Sequence, residues 1–195
     1  MSRVRTRPTR GETREKLFQA AAEVFEEQGI GAASIEAIAA AAGLTRGAFY
    51  SNFADKDELI GAMLEDHVDR SIRHHRELLA EHRTPEAFIA ALRASDRNRD
   101  DPLGRAPLLH IELILFEARS ARRRPELAKR LRARRALVAE ILGGIGFTDP
   151  AHGAAMLLAL EDGFRLHRLV DPASTPADSF MRSIGELQKL RSGRR

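Results

Sequence analysis

The chain has 195 residues, 43% hydrophobic and 31% charged, which is the balance of a water-soluble helical protein long enough to bury a sizeable core. It holds no cysteine, which excludes disulfides and thiolate metal centres and makes a reducing cytoplasm the expected setting. Net charge is +4, yet residues 1–60 carry eight Lys or Arg against nine Asp or Glu, so total basicity is no argument for nucleic-acid binding.

The N-terminus is rich in arginine without an apolar stretch behind it, so no secretory signal is expected. The longest apolar run, Ala154 to Leu160, is seven residues and too short to cross a bilayer, so no membrane partner is expected. Arg3, Arg5, Arg7 and Arg10 stand in the first ten residues with no acid among them. Such an arm can follow phosphates or enter a minor groove, and an ordinary solvated tail has the same composition.

From Glu12 onward the apolar spacing is helical. Leu17, Ala21, Val24 and Phe25 line one face of a first helix, which Gly29 ends. Ser34 is a suitable N-cap for a short second helix, over about 34–42, whose apolar residues Ile35, Ile38, Ala39 and Ala42 recur at i, i+3, i+4 and i+7. Gly43 falls where that helix must stop, at a position that calls for a left-handed backbone. A third helix follows at about 45–51. Leu44 and Phe49 anchor it, and Thr45, Arg46, Tyr50 and Asn52 are left to face outward. Two short helices across a tight glycine turn can lay the second in a major groove. Asp55 opens the next helix, with Glu58 three residues on as in a capping box, and the pattern continues to about Glu81.

Thr84-Pro85 starts a fifth helix that fades into the polar stretch Asp96–Asp101, the most linker-like segment. Pro107 to about Ser120 is apolar nearly all round and predicts a core helix. Pro125 opens a helix that ends at Gly143-Gly144, another runs from Asp149-Pro150 to Val170, and a last one covers about Pro176–Arg191. The expectation is an all-α fold of about nine helices.

Counting from Ile35, Ala39 is fifth, Gly43 ninth and Phe49 fifteenth. A small residue lets the helices cross, a glycine turns the chain, and a bulky apolar side chain locks the pair. Together with Phe25, Gly29, Ser34, Ile38, the run Gly43–Tyr50, Phe53 and Lys56–Leu59, this pattern resembles the N-terminal domain of the TetR family of bacterial transcriptional regulators. The likeness covers about residues 10–60 in detail and only architecture beyond.

The resemblance implies an all-α homodimer that binds a palindromic operator in double-stranded DNA. Its parts would be an N-terminal arm and helix-turn-helix domain, residues 1–54, and a ligand-binding and dimerisation domain, residues 55–195. Thr45, Arg46, Gly47 and Ala48 would form the groove-facing start of the recognition helix, and Tyr50 and Lys56 would contact phosphates. Ser34 joins the DNA-facing set, and Asn52 stands where many members have His. Residue chemistry agrees: Arg46 carries the planar fork that reads guanine O6 and N7, and Gly47 permits close backbone approach. The expected function is a repressor released by an unknown small molecule. The alternatives are an architectural or division-control DNA-binding protein without an inducer, and an α-helical enzyme.

Beyond the motif the signals thin out. His110, Leu113, Phe116, Phe164 and His167 are candidates to line a ligand pocket, though core packing or a solvated surface explains the same residues. Residues 151–169 and 177–190 carry apolar stripes for a dimer bundle, or for packing within one chain. Arg119 to Arg135 holds nine Lys or Arg and one acid, Glu126, which suits an anionic ligand such as an acyl-CoA or simply a solvated helix face. His67, His74 and His75 approach one face without a compact ligand set, so no metal or cofactor is expected. No catalytic motif stands out, and no enzyme is expected.

Overall fold

The computed structural model describes residues 9–82, 84–94, 101–144 and 147–184, and every regular element among them is a helix. Two compact units emerge: residues 1–67 with 98–124, and residues 68–97 with 125–195.

In the first unit, α1 (Arg10–Ala32) starts at a full capping box that the sequence pattern placed no nearer than Glu12. The Thr9 hydroxyl accepts the Glu12 N–H at 3.2 Å, and the Glu12 carboxylate accepts the Thr9 N–H at 2.7 Å. Gly29 breaks the helix at φ 77°, a value that only glycine takes without strain, and the final turn to Ala32 follows. Helices α2 (Ile35–Ala41) and α3 (Arg46–Tyr50) are joined through Gly43 at φ 65°. Leu17, Phe18, Phe25, Ile38, Phe49 and Phe53 fill the space between these helices, with Phe53 5.8 Å from both Phe18 and Phe49, ring centre to ring centre.

Helix α4 (Lys56–Glu81) begins after an Asp55 cap, whose carboxylate accepts the Glu58 N–H at 2.7 Å. Glu58 reaches back to the Ala54 N–H, one residue earlier than a standard box. The helix passes from one compact unit to the other at His67.

A four-residue helix, α6 (Pro102–Arg105), follows directly on the linker-like stretch Asp96–Asp101, in residues for which the sequence predicts no element. Asp101 caps it, accepting the Leu103 N–H at 3.1 Å, and Pro102 occupies its first turn. Residues 96–100 of that polar stretch lie outside the described residues. Helix α7 (Pro107–Arg119) buries Leu109, His110, Leu113 and Glu117 but leaves Leu108 and Leu115 exposed, so only part of its apolar circumference is core.

In the second unit, Phe88 of α5 (Pro85–Ala94) packs with Leu137 and Ile141 of α8 (Arg124–Gly144), against Ile72, Leu78, Leu79, Ile89 and Leu92. Helix α9 (Pro150–Val170) starts at Asp149, which accepts the His152 N–H at 3.0 Å. Gly153 lets α9 close on α8: a Cβ there would meet Leu142 at 3.0 Å and Phe147 at 3.4 Å. A further helix begins at residue 179 and is described as far as 184; Leu187 and Leu190 of the expected last stripe fall outside the described residues. Among the described residues no helix is long and apolar enough to cross a membrane.

Candidate nucleic-acid interface

Both helices of the motif are capped by hydroxyls. Ser34 Oγ accepts the Ala37 N–H at 3.0 Å, and Thr45 Oγ1 accepts the Ala48 N–H at 3.1 Å. Each oxygen thereby satisfies an otherwise orphaned donor and fixes where its helix begins. Ser34, Thr45, Arg46, Gly47 and Tyr50 are exposed, and Ala48 is half-buried. Phe49, fully buried on the opposite side of α3, holds the helix down.

Arg46 is braced rather than loose. Its Nη1 lies 2.9 Å from Glu36 Oε1 on α2, its Nη2 donates to the Tyr50 hydroxyl at 3.2 Å, and its guanidinium lies 5.4 Å from the centre of the Tyr50 ring. The Tyr50 hydrogen bond, followed by the Glu36 charge, raises its pKa further, so the fork stays cationic. Glu36 as a partner went unforeseen, because the two residues meet only once the turn has folded α2 against α3.

Gly47 lies one residue into α3, and a Cβ there would touch only Thr45 Oγ1, at 3.7 Å. The fold itself therefore does not require the missing side chain, and the open backbone at this point is available to something outside the protein.

Two expected contacts are turned inward. Lys56 Nζ donates to the carbonyls of Ile30 at 2.7 Å, Ala33 at 2.8 Å and Gly31 at 3.3 Å, closing the last turn of α1. Its three donors are thus engaged with backbone, an arrangement the phosphate role did not anticipate. Asn52 is buried, its Nδ2 donates to the Ala48 carbonyl at 2.8 Å, and its buried Oδ1 has no hydrogen-bond partner among the described residues. It secures the end of α3 instead of facing a duplex. Arg3, Arg5 and Arg7 of the arm lie outside the described residues.

The pocket candidates are shared between the two compact units. His110 and Leu113 are buried in the first unit, and Phe116 is half-buried there under the Arg123 guanidinium, 4.6 Å from its ring centre. Phe164, half-buried, and His167, exposed, belong to the second unit. His67 Nδ1 lies 2.6 Å from Asp101 Oδ2, and its ring centre is 4.2 Å from that of His110. Burial pushes the Asp101 carboxyl up, but the hydrogen bond and charge of His67 and the N–H groups of Gly104 and Leu103 outweigh it, leaving the pKa lowered. His75 Nδ1 meets the Ser71 carbonyl at 2.6 Å, and among the described residues no three His, Asp or Glu side chains gather to hold a metal ion.

A capped five-residue helix, braced by a second across a glycine turn and offering arginine, glycine and threonine outward, defines a helix-turn-helix protein of the all-α class. Residues 17–63 match the family described as "Bacterial regulatory proteins, tetR family", and residues 83–187, more than half of the chain, match "Tetracyclin repressor-like, C-terminal domain". The chain belongs to the TetR family of bacterial regulatory proteins, whose members are DNA-binding transcriptional regulators. It is 39% identical over 61 residues to the regulator AcrR of Shigella flexneri, covering 31% of this chain and 28% of AcrR. To SrpR of Pseudomonas putida it is 47% identical over 53 residues, covering 27% and 25%. The chain thus spans only about a quarter of the length of these two relatives. A solved structure from Pseudomonas aeruginosa PAO1 shares the fold across 96% of this chain and 94% of its own, with a TM-score of 0.72 at 21% identity.

Proposed function

We propose that the protein is a cytoplasmic repressor that binds a palindromic operator as a homodimer and leaves it when a small molecule occupies its C-terminal domain. The observation that carries the DNA-reading part is the outward face of α3, where Arg46 is held cationic and in place beside a glycine that the fold does not need. A planar guanidinium so placed suits the O6 and N7 edge of guanine, and Gly47 suits close approach of backbone to a duplex. Thr45 and Ser34 retain hydroxyl protons that can donate to phosphate while their oxygens cap the helices.

The dimer is supported by α9. Met156, Leu160, Leu166 and Val170 are exposed in the single chain, recurring at helical spacing along it. A twin subunit would cover that stripe, and a palindromic operator calls for two copies of α3 about 34–36 Å apart, one turn of duplex. Release follows from α4, which starts beside the motif and continues into the second unit. A ligand preferring a misaligned form about a hundredfold would shift the balance by roughly 2.7 kcal/mol.

The test is selection of genomic DNA fragments by the purified protein, followed by a metabolite panel against the selected site. A palindrome near few genes, with at least one metabolite that weakens binding and is recovered unchanged, is the expected result. Dispersed sites without symmetry, with no effect of any metabolite, point to an architectural protein instead. Conversion of the metabolite would point to an enzyme.

A further inference from the structure

The basic run from Arg119 to Arg135 resolves into three kinds of residue. Arg122 and Arg123 face Asp57, Arg123 also meets Glu117 at 2.9 Å, Arg124 donates to the Ala118 carbonyl, Lys129 faces Glu126, and Arg134 meets Glu161 at 2.7 Å. Arg119, Arg132 and Arg135 are exposed to water. Arg130 is neither: its Nε and Nη1 are buried, and among the described residues neither has a hydrogen-bond partner.

Its position on α8 makes this unusual. Leu127, three residues before, and Leu137 and Ile141, seven and eleven after, are buried, so Arg130 lies on the inward face of the helix. Arg134, one turn on, shares that face and has its carboxylate. Glu161, the carboxylate on that side, pairs with Arg134 and, at 3.2 Å, with Arg165. A guanidinium does not escape desolvation by losing its proton. Arg130 is half-buried, and the two donors shut off from water stay unfavourable until an acceptor, best an anion, arrives.

We infer that Arg130 is the anchor of a binding site for an organic monoanion, a carboxylate on an apolar body. One uncompensated charge calls for one negative charge. The apolar residues along the same face of α8, with Phe88, Ile89 and Leu92 of α5 packed around Leu137 and Ile141, suit a hydrocarbon body and not a bare ion. The exposed Lys129, Arg132 and Arg135 raise the local positive potential and draw anions toward the helix. This site deepens the ligand-responsive reading above and rests on it.

The probes are octanoate, 1-octanol, octylamine and inorganic phosphate, titrated calorimetrically against the full chain, with melting temperature as a second readout. Octanoate binds and raises the melting temperature, and the other three bind at least about tenfold more weakly, as expected for a charge-assisted contact. Arg130→Gln removes the preference for octanoate over 1-octanol. Arg130→Met, without ligand, melts about 2–4 °C higher than the native chain, since two buried donors without acceptors are gone. Absent octanoate binding, equal binding of octanoate and 1-octanol, phosphate binding as tightly as octanoate, or an unchanged preference in Arg130→Gln each overturns the assignment. So does a lower melting temperature in both variants. Gel shifts on the selected operator separate the two readings. Octanoate that binds without releasing DNA counts against induction and leaves the site. Release by another molecule, with no octanoate binding, removes the site and leaves the repressor.

Discussion

At Gly47 a Cβ would sit 3.7 Å from Thr45 Oγ1, an ordinary van der Waals contact, so an alanine fits the free protein without strain. Helix propensity favours alanine there by about 0.5–1 kcal/mol. Gly47→Ala is therefore expected to raise thermal stability while weakening operator binding, a split readable from melting curves beside gel shifts. Unchanged operator affinity would mean that no backbone approaches DNA at this point. Lys56 presents the opposite case. With its ammonium among the carbonyls of Ile30, Gly31 and Ala33, Lys56→Ala should lower stability by about 1–3 kcal/mol and leave the salt dependence of DNA binding unchanged. A phosphate contact would instead reduce the salt slope by about one. What was legible at this scale was local: Ser34, Thr45, Gly29 and Gly43 act on neighbours within a few residues, so their types and spacing reveal them. The partners of Lys56 stand 23 to 26 residues earlier, and a lysine beside a helix start looks the same in sequence whether it caps or binds phosphate.

Among the elements, α2 and α3 were readable because the apolar period, the cap and the turn glycine all agree. The short α6 was not, since four residues carry no period and its cap, Asp101, closes a polar stretch that looks like linker. Asp101 also ties α6 to His67 of α4. Its folded pKa lies below the ordinary Asp value, so the unfolded chain takes up a proton first as pH falls. The stabilisation is complete above that ordinary value, near 3.8, and is lost as acidification proceeds through the lower folded value. Urea midpoints measured downward from pH 6 should fall below about pH 4 in the native chain, and Asp101→Asn should be less stable at pH 6 and flatter on the acid side. Parallel curves for the two proteins would contradict that role. The Arg123 tie is of the same kind: the α7–α8 turn sends one arginine to Asp57, in the first turn of α4, and to the buried Glu117 of α7. Nothing in the spacing of residues 57, 117 and 123 announces such a meeting.

For the whole molecule, the all-α class was evident from the apolar period, and the resemblance carried the family. The candidate pocket residues could not be sorted by sequence, because an apolar residue looks alike there whether it lines a cavity or fills a core; Leu113 is buried, and Phe116 and Phe164 are half-buried. The α9 stripe tests the assembly. Leu166→Glu, at a half-exposed site, should leave the helical content intact but convert a dimer to monomers in analytical ultracentrifugation, with operator affinity falling along with it. A dimer that survives this change assembles through another face. The account as a whole depends on α3 entering duplex DNA, and its most direct measurement compares native protein and Arg46→Ala on the selected operator and on unrelated duplex. A loss of about 1–3 kcal/mol on the operator, with little change on unrelated DNA, is the predicted result. Equal affinities of the two proteins for the operator would contradict it.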